Sequence, residues 1–312
     1  MKRIVIIFLI IFIMIAFIAC SRIKDDETPI NASPTSTASP SVTSSPVNTQ
    51  KPDAKAIMNE FDTLTSLADV KLDEAASFIE ENIASVSAED ASKMILRFEE
   101  LQYDHRTALE DDFYTEDVQL RFQQEVEAGT DVNVPGNIKD SSLKELVQKA
   151  KNSGFKVEQV EGAFIPVMDY SFYIKFSSFG TPDIKEYIEL MSVESDQPSV
   201  LGGGVVIGWD EVIRRGVSNE RFLEAYNDSQ KRDAIKALFN NYKELAFFGT
   251  EVTPLFDSQT GELLEDVRYA YEQAIADEGA SDFVKNLKAF MKIVAENNYK
   301  LTDEAENFRK SY

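Results

Sequence analysis

The sequence predicts a mainly α-helical protein, a helical bundle or an array of helical hairpins with one small β-hairpin near residues 155–168. Two changes in the spacing of apolar residues lead to this prediction. From about residue 53 onward they recur every three or four positions, which is the pattern of one helix face. Around residue 155 the interval shortens to two, which is typical of a strand.

The first twenty residues have the layout of an export signal. Two basic residues, Lys2 and Arg3, precede an uninterrupted apolar run over residues 4–19, and Cys20 follows as the only cysteine in the sequence. A helix of this run would rise about 24 Å, which is less than the roughly 30 Å of a bilayer core. Transient insertion therefore fits better than a permanent span, and an uncleaved signal anchor is the alternative.

The end of this signal resembles the lipobox of bacterial lipoproteins, whose cysteine thiol receives a diacylglycerol and becomes the new N-terminus. The residues concerned are Phe17, Ile18, Ala19 and Cys20. Ala19 fits that family, whereas Phe17 and Ile18 differ from the Leu and the Ala or Ser that are usual there. The resemblance implies lipidation at Cys20 and a location on the outer face of the bacterial cell membrane.

Residues 21–52 are predicted to be a disordered tether. Between residues 31 and 50, thirteen of twenty positions are Ser, Thr or Pro, and such a segment buries too little apolar surface to offset its ordering entropy. Its prolines favour extended polyproline II geometry, in which thirty residues reach about 90 Å. The tether would lift the body clear of the membrane.

The charge balance argues against two classes of partner. The chain has 54 acidic and 32 basic residues, a formal net charge of −22. Such a surface repels phosphate backbones and anionic lipid headgroups. We therefore expect neither nucleic-acid binding nor peripheral docking of the body on a membrane. The chain is expected to associate with the membrane only through its lipid anchor.

Residues 53–215 are predicted to form a helical region that contains the β-hairpin. Helices are expected at about 53–68, 72–83, 117–128 and 142–152, with a longer one after Ser87, whose hydroxyl can cap it. The apolar stripe of that longer helix runs from Ala91 through His105 to Ala108. The hairpin should turn near Glu161 and Gly162, and Asp169 and Thr181-Pro182 should begin two further helices.

The stretch of residues 201–208 has three consecutive glycines beside an apolar run. A phosphate-binding loop needs Lys-Ser or Lys-Thr after its last glycine, but Trp209 and Asp210 follow Gly208. The stretch is therefore predicted to be a flexible turn, then a buried extended segment that leads into a helix with Val212 and Ile213.

Residues 216–312 are predicted to form helical pairs. Helices at 218–227 and 229–248 are joined by an Asn-Asp-Ser turn, and the apolar pattern of the second recurs fifty-two residues later. The segment 222–229 with its following helix resembles the tetratricopeptide-like hairpins of extracytoplasmic assembly lipoproteins, although the spacing exceeds that repeat by about eighteen residues. Ordinary helical packing is the alternative to such hairpins. Leader, tether and helical body together resemble lipoproteins of Gram-positive bacteria.

No catalytic or metal constellation is predicted. His105 is the only histidine, lies on an apolar stripe beside Asp104, and is expected to be half-buried and satisfied. One histidine and one cysteine exclude the common zinc sites. The acidic residues of 110–117 and the loop 257–261 lack the ligand spacing of an EF-hand, so solvated acidic segments are expected and calcium binding is the alternative.

The aromatic residues around the loop 249–261 allow two interpretations. These residues are Phe247, Phe248, Phe256, Tyr269 and Tyr271. Core packing is the expected role, and a peptide-binding groove between helical hairpins is the alternative.

We therefore expect a lipid-anchored extracytoplasmic protein that acts as a binding or scaffold module for a protein partner, without catalytic residues, metal or cofactor. One alternative is a cell-wall hydrolase that uses carboxylates, which 54 acidic residues neither identify nor exclude. Another is a small-ligand receptor, although such receptors usually alternate strands and helices.

Replacing the lipidation residue tests the anchor directly. The Cys20→Ala variant is expected to lack lipid and to remain as a larger, unprocessed precursor, because the thiol is the acceptor of the diacylglycerol. Gel mobility and detergent phase partitioning of the two proteins measure this. A variant that is processed and partitions like the parent would refute the lipoprotein hypothesis.

Overall fold

The computed structural model describes residues 53–277 and 281–312. The predicted signal with Cys20 and the tether of residues 21–52 lie outside the described residues. The described residues form helices with two small antiparallel hairpins, which confirms the predicted fold class. Within these ranges no helix combines the length and the apolar character needed to cross a bilayer.

Five helices form the first part of the body, close to their predicted positions. They are α1 (Ala54–Thr65), α2 (Leu72–Asn82), α3 (Ala88–Phe113), α4 (Glu116–Glu127) and α5 (Ser141–Asn152). The hydroxyl of Ser87 accepts the backbone N–H of Asp90 at 3.2 Å, which confirms the predicted cap of α3. The buried face of α3 continues in steps of four to Leu109 and Phe113, so Ala108 is exposed and its predicted place on the stripe is wrong.

The predicted β-hairpin is confirmed together with its turn. Strands β1 (Phe155–Val160) and β2 (Ala163–Met168) pair antiparallel, with Val160 opposite Ala163. Glu161 and Gly162 connect them, and both have positive φ, as the favoured two-residue turns of type I′ require. A short 3-10 turn, α6 (Ile174–Ser177) and α7 (Pro182–Asp196) follow.

The glycine stretch forms a second, very short hairpin. Strands β3 (Val200–Leu201) and β4 (Gly204–Val205) flank Gly202 and Gly203, which both have positive φ. The predicted turn is therefore confirmed, but the prediction of a buried segment after it is wrong, because Val206 is exposed. A two-residue strand pair covers too little surface to bury its own apolar side chains.

Five helices complete the chain: α8 (Trp209–Ala225), α9 (Arg232–Phe248), α10 (Glu265–Asp277), α11 (Asp282–Glu296) and α12 (Asp303–Ser311). The predicted helix start at Ser218 is wrong, because α8 runs through this position without interruption. The predicted boundary between residues 215 and 216 consequently falls inside α8. The tetratricopeptide-like relationship of these helices stays a prediction.

Close packing explains why α8 continues through a glycine. A Cβ atom on Gly216 would lie 2.5 Å from Cε1 of Phe283, so α11 can approach α8 only because the side chain is absent there. One turn further along α8, the carboxylate of Glu220 accepts the backbone N–H of Phe283 at 2.9 Å and the hydroxyl of Ser281. Glu220 thus caps α11 from a neighbouring helix.

Two hydrophobic cores form within the described residues. The first lies among α1–α7 and the hairpin β1–β2, and the second among α8–α12. Phe222 of α8 and Ile235 of α9 belong to the first core, whereas most buried residues of these two helices belong to the second. Leu238 packs against both cores, so the α8–α9 pair joins them.

The contact at Gly216 gives a stability prediction. Gly216→Ala should lower the free energy of unfolding by about 1–2 kcal/mol, since so close a contact should cost about 2–3 kcal/mol of overpacking and alanine regains about 1 kcal/mol of helix propensity. Urea unfolding followed by circular dichroism measures this change. Gly136→Ala is the control and should stay within about 0.5 kcal/mol, because no atom lies within 4 Å of its Cβ position. An equally stable Gly216→Ala variant would show that α8 and α11 do not require this close approach.

Candidate functional site

His105 is half-buried and hydrogen-bonded, as the sequence predicted. Its Nδ1 lies 2.8 Å from the carbonyl oxygen of Leu101, one turn earlier in α3. Asp104 beside it is exposed. The imidazole therefore bonds to the backbone of its own helix.

The predicted acidic segments bind protein groups. Glu110 pairs with Arg106 at 3.2 Å, and Asp112 pairs with Lys149 at 3.2 Å. The carboxylate of Asp257 accepts backbone N–H groups of its own turn, and these hydrogen bonds lower its pKa. In the part of the chain that the structure describes, no cluster of three His, Cys, Asp or Glu side chains is placed to hold a metal ion.

The aromatic residues around the loop 249–261 divide between the two predicted roles. Phe247, Phe256 and Tyr271 are buried in the second core, as expected for core packing. Tyr269 is 66% exposed and borders a cleft in the surface.

A buried cluster around Glu99 was missed by the sequence analysis. Glu99 of α3 accepts the hydroxyl of Tyr170 at 2.7 Å and that of Tyr187 at 2.5 Å, and it forms an ion pair with Lys231. Burial and the negative charge of Glu99 raise the pKa of Tyr187 well above its ordinary value, so this phenol stays a donor. The cluster connects α3 and α7 to the segment that precedes α9.

A second buried cluster surrounds Arg215 of α8. Its guanidinium donates to Oε1 of Glu211 at 2.6 Å and to the carbonyl oxygen of Gln197 at 2.8 Å, and it lies 3.4 Å from Glu194. Glu194 also accepts the hydroxyl of Tyr242 at 2.5 Å, and burial raises the pKa of this carboxyl group. The cluster connects α7, α8 and α9.

A cleft of about 670 Å³ lies between the glycine hairpin, the start of α8 and one face of α10. Twelve residues line this α8–α10 cleft: Val205, Ile207, Gly208, Trp209, Asp210, Arg214, Thr253, Asp266, Tyr269, Ala270, Gln273 and Ala274. Trp209 packs edge-on against Tyr271, with ring centroids 6.4 Å apart. The hydroxyl of Thr253 accepts the backbone N–H of Val205 at 3.1 Å, which holds the glycine hairpin against the loop.

Exposed apolar side chains lie on the segments that form the α8–α10 cleft. We call Leu201, Val206, Val252 and Tyr269 the apolar rim, and they are 56%, 50%, 67% and 66% exposed. Val252 lies against the glycine hairpin, because a Cβ on Gly204 would stand 3.1 Å from its Cγ1. The glycine hairpin and the loop 249–261 are therefore packed against each other.

The charges of the α8–α10 cleft are unequal. Arg214 donates to both carboxylate oxygens of Glu211, at 2.6 and 2.5 Å. Glu211 also accepts from Arg215, which lies beside Glu194, so the two arginines are matched by two carboxylates. Asp210 and Asp266, which line the cleft, are exposed. The cleft therefore combines an aromatic and aliphatic lining with excess negative charge.

The sequence analysis named residues of this site, but it did not predict that they lie together. It identified the glycine stretch, Trp209 and Tyr269 as separate features, and the apolar residues after the glycines were expected in the core. Comparison with family models, with curated proteins and with solved structures found no match.

The Glu99 cluster gives a second stability prediction. Lys231→Met should lower the free energy of unfolding by about 2 kcal/mol, because it leaves a buried carboxylate without its cation, and Lys231 retains some exposure to water. Adding Glu99→Gln should restore most of this loss, since the amide oxygen still accepts the tyrosine hydroxyls.

Urea unfolding of the parent, both single variants and the double variant measures the coupling. Lys236→Met, on an exposed position of α9, is the control and should change stability by less than about 0.5 kcal/mol. A double variant as unstable as Lys231→Met would contradict the assigned ion pair.

Proposed function

We propose that this chain is a lipid-anchored, extracytoplasmic binding module without catalytic activity, and that it binds a partner protein at the α8–α10 cleft. The observation that carries the proposal is the apolar rim around a cleft that contains Trp209. Several exposed apolar side chains close to a cavity are typical of interaction sites.

The composition of the site supports a protein partner. Aromatic residues are enriched where binding energy is concentrated in protein interfaces, and Trp209 and Tyr269 both line the cleft. The rim residues come from the glycine hairpin, the loop 249–261 and α10, so a partner would contact three separate segments. A protein partner would cover more of this surface than a single small ligand could.

The anchor and the tether give this surface a location. In the proposal, Cys20 carries the lipid and residues 21–52 connect it to the body, so the cleft is displayed at the outer face of the membrane. The −22 net charge would keep the body away from anionic headgroups.

A photo-crosslinking experiment in cells tests the proposal. The full chain carries benzoylphenylalanine in place of Tyr269, and illumination should join it to a partner protein. The matched control places the same group at Tyr114, an exposed aromatic position at the end of α3. Adducts should form at position 269, be absent at 114, and disappear when Val206→Asp is added. Equal adducts at both positions, or none at 269, would contradict the proposal.

One feature of the cleft favours a second function, hydrolysis of cell-wall material. Asp210 of α8 and Asp266 of α10 line the same cleft, and glycoside hydrolysis uses two carboxyl groups on either side of the bond. Incubating the full chain with purified wall separates the two functions. Fragments released by the parent and not by Asp210→Asn would replace the binding proposal, and no release would remove the hydrolase.

A further inference from the structure

We infer that the occupant of the α8–α10 cleft is a basic polypeptide segment, in which a lysine or arginine side chain enters the cleft and flanking apolar residues cover the apolar rim. This inference rests on the proposed function and names the class of partner.

The charges of the cleft favour a cation. Among the described residues that line it, Arg214 alone is positive, and both oxygens of Glu211 hold its guanidinium. Asp210 and Asp266 are exposed acidic residues that line the same cavity. An acidic or phosphorylated segment would meet these carboxylates without a free cation to pair with.

The apolar lining favours a cation on a long aliphatic stem. Tyr269, which is 66% exposed, offers an aromatic ring that attracts an ammonium or guanidinium group placed over its face. Trp209 is 7% exposed and lines the cleft with the small part of its ring that is accessible. Val205, Ile207 and Ala270 supply aliphatic surface for the methylene groups of the same side chain. A lysine or arginine side chain combines both properties.

The apolar rim favours a polypeptide over a free amine. Leu201, Val206 and Val252 belong to the hairpin and loop beside the cavity, and their side chains are at least half exposed. A small amine in the cleft would leave them in water, whereas apolar residues next to the basic one would cover them. The −22 net charge would also steer a basic segment toward the chain.

Tryptophan fluorescence can measure binding at the cleft directly. Trp209 is the only tryptophan of the chain, so the tryptophan fluorescence reports on the surroundings of this one residue, which lines the cleft. The full chain in neutral detergent micelles is titrated with three blocked heptapeptides without aromatic residues. They share two leucines and three glycines and differ at two central positions, which are both Lys, both Gln or both Glu.

The Lys peptide is expected to bind at least tenfold more tightly than the Gln peptide, and the Glu peptide least tightly. Raising the salt from 0.05 to 0.5 M should weaken binding of the Lys peptide several-fold, because exposed charges are screened. The variant Asp210→Asn with Asp266→Asn should lose at least tenfold in affinity for the Lys peptide and none for the Gln peptide. The control, Asp104→Asn with Asp111→Asn on α3, changes the net charge equally and should bind like the parent.

The outcomes separate this inference from the proposed function. Equal affinity for the Lys and Gln peptides would overturn the basic partner and leave an apolar docking surface. Binding of hexylammonium as tightly as the Lys peptide would assign the cleft to a small amine instead. No binding of any probe would overturn the inference, and the crosslinks at position 269 would then decide the proposed function independently.

Discussion

The close approach of α11 to α8 at Gly216 is the constraint on which the second half of the molecule depends. Phe283 occupies the space that a side chain at this position would need, and Glu220, one turn along the same helix, caps the start of α11. With α8 and α11 fixed in this way, the second core can close around them. The start of α8, which carries Trp209, is then held on one side of the cleft that α10 borders on the other.

Buried charges give the same helices their specific arrangement. Arg215 binds groups from α7 and α8 and lies beside Tyr242 of α9, and Glu99 binds tyrosines and Lys231 from distant parts of the chain. Breaking such a cluster by removing one member is costly, because it leaves a buried charge without its partner. The Arg215 cluster also reaches the surface. Hydrogen bonds from Arg214, and secondarily from Arg215, lower the pKa of Glu211, which stays charged and keeps Arg214 occupied at the cleft.

These arrangements together account for the character of the candidate site. The glycine hairpin is too short to bury its apolar residues, so Leu201 and Val206 stay exposed beside the cleft. The ion pairs of Arg214 leave the carboxylates of the cleft in excess. A site of this kind suits recognition of a basic and apolar segment. The proposed lipid and tether would place it outside the membrane while the acidic body remains clear of the headgroups.

Local patterns in the sequence determined the helical fold class, the cap at Ser87, the start of α7 at Thr181-Pro182 and the hairpin turn at Glu161 and Gly162. Each of these depends on residues within a few positions of one another, so spacing and turn chemistry suffice. Tertiary structure decided the continuity of α8, the partners of Glu99 and Arg215 and the composition of the cleft. Gly216 and Ser218 form helices less readily than alanine. Phe283, far away in the sequence, packs on Gly216, and the contacts of α8 with both cores keep this stretch helical. The cleft unites residues 205–214, 253 and 266–274, and only the folded chain sets which side chains of such separate segments share a surface.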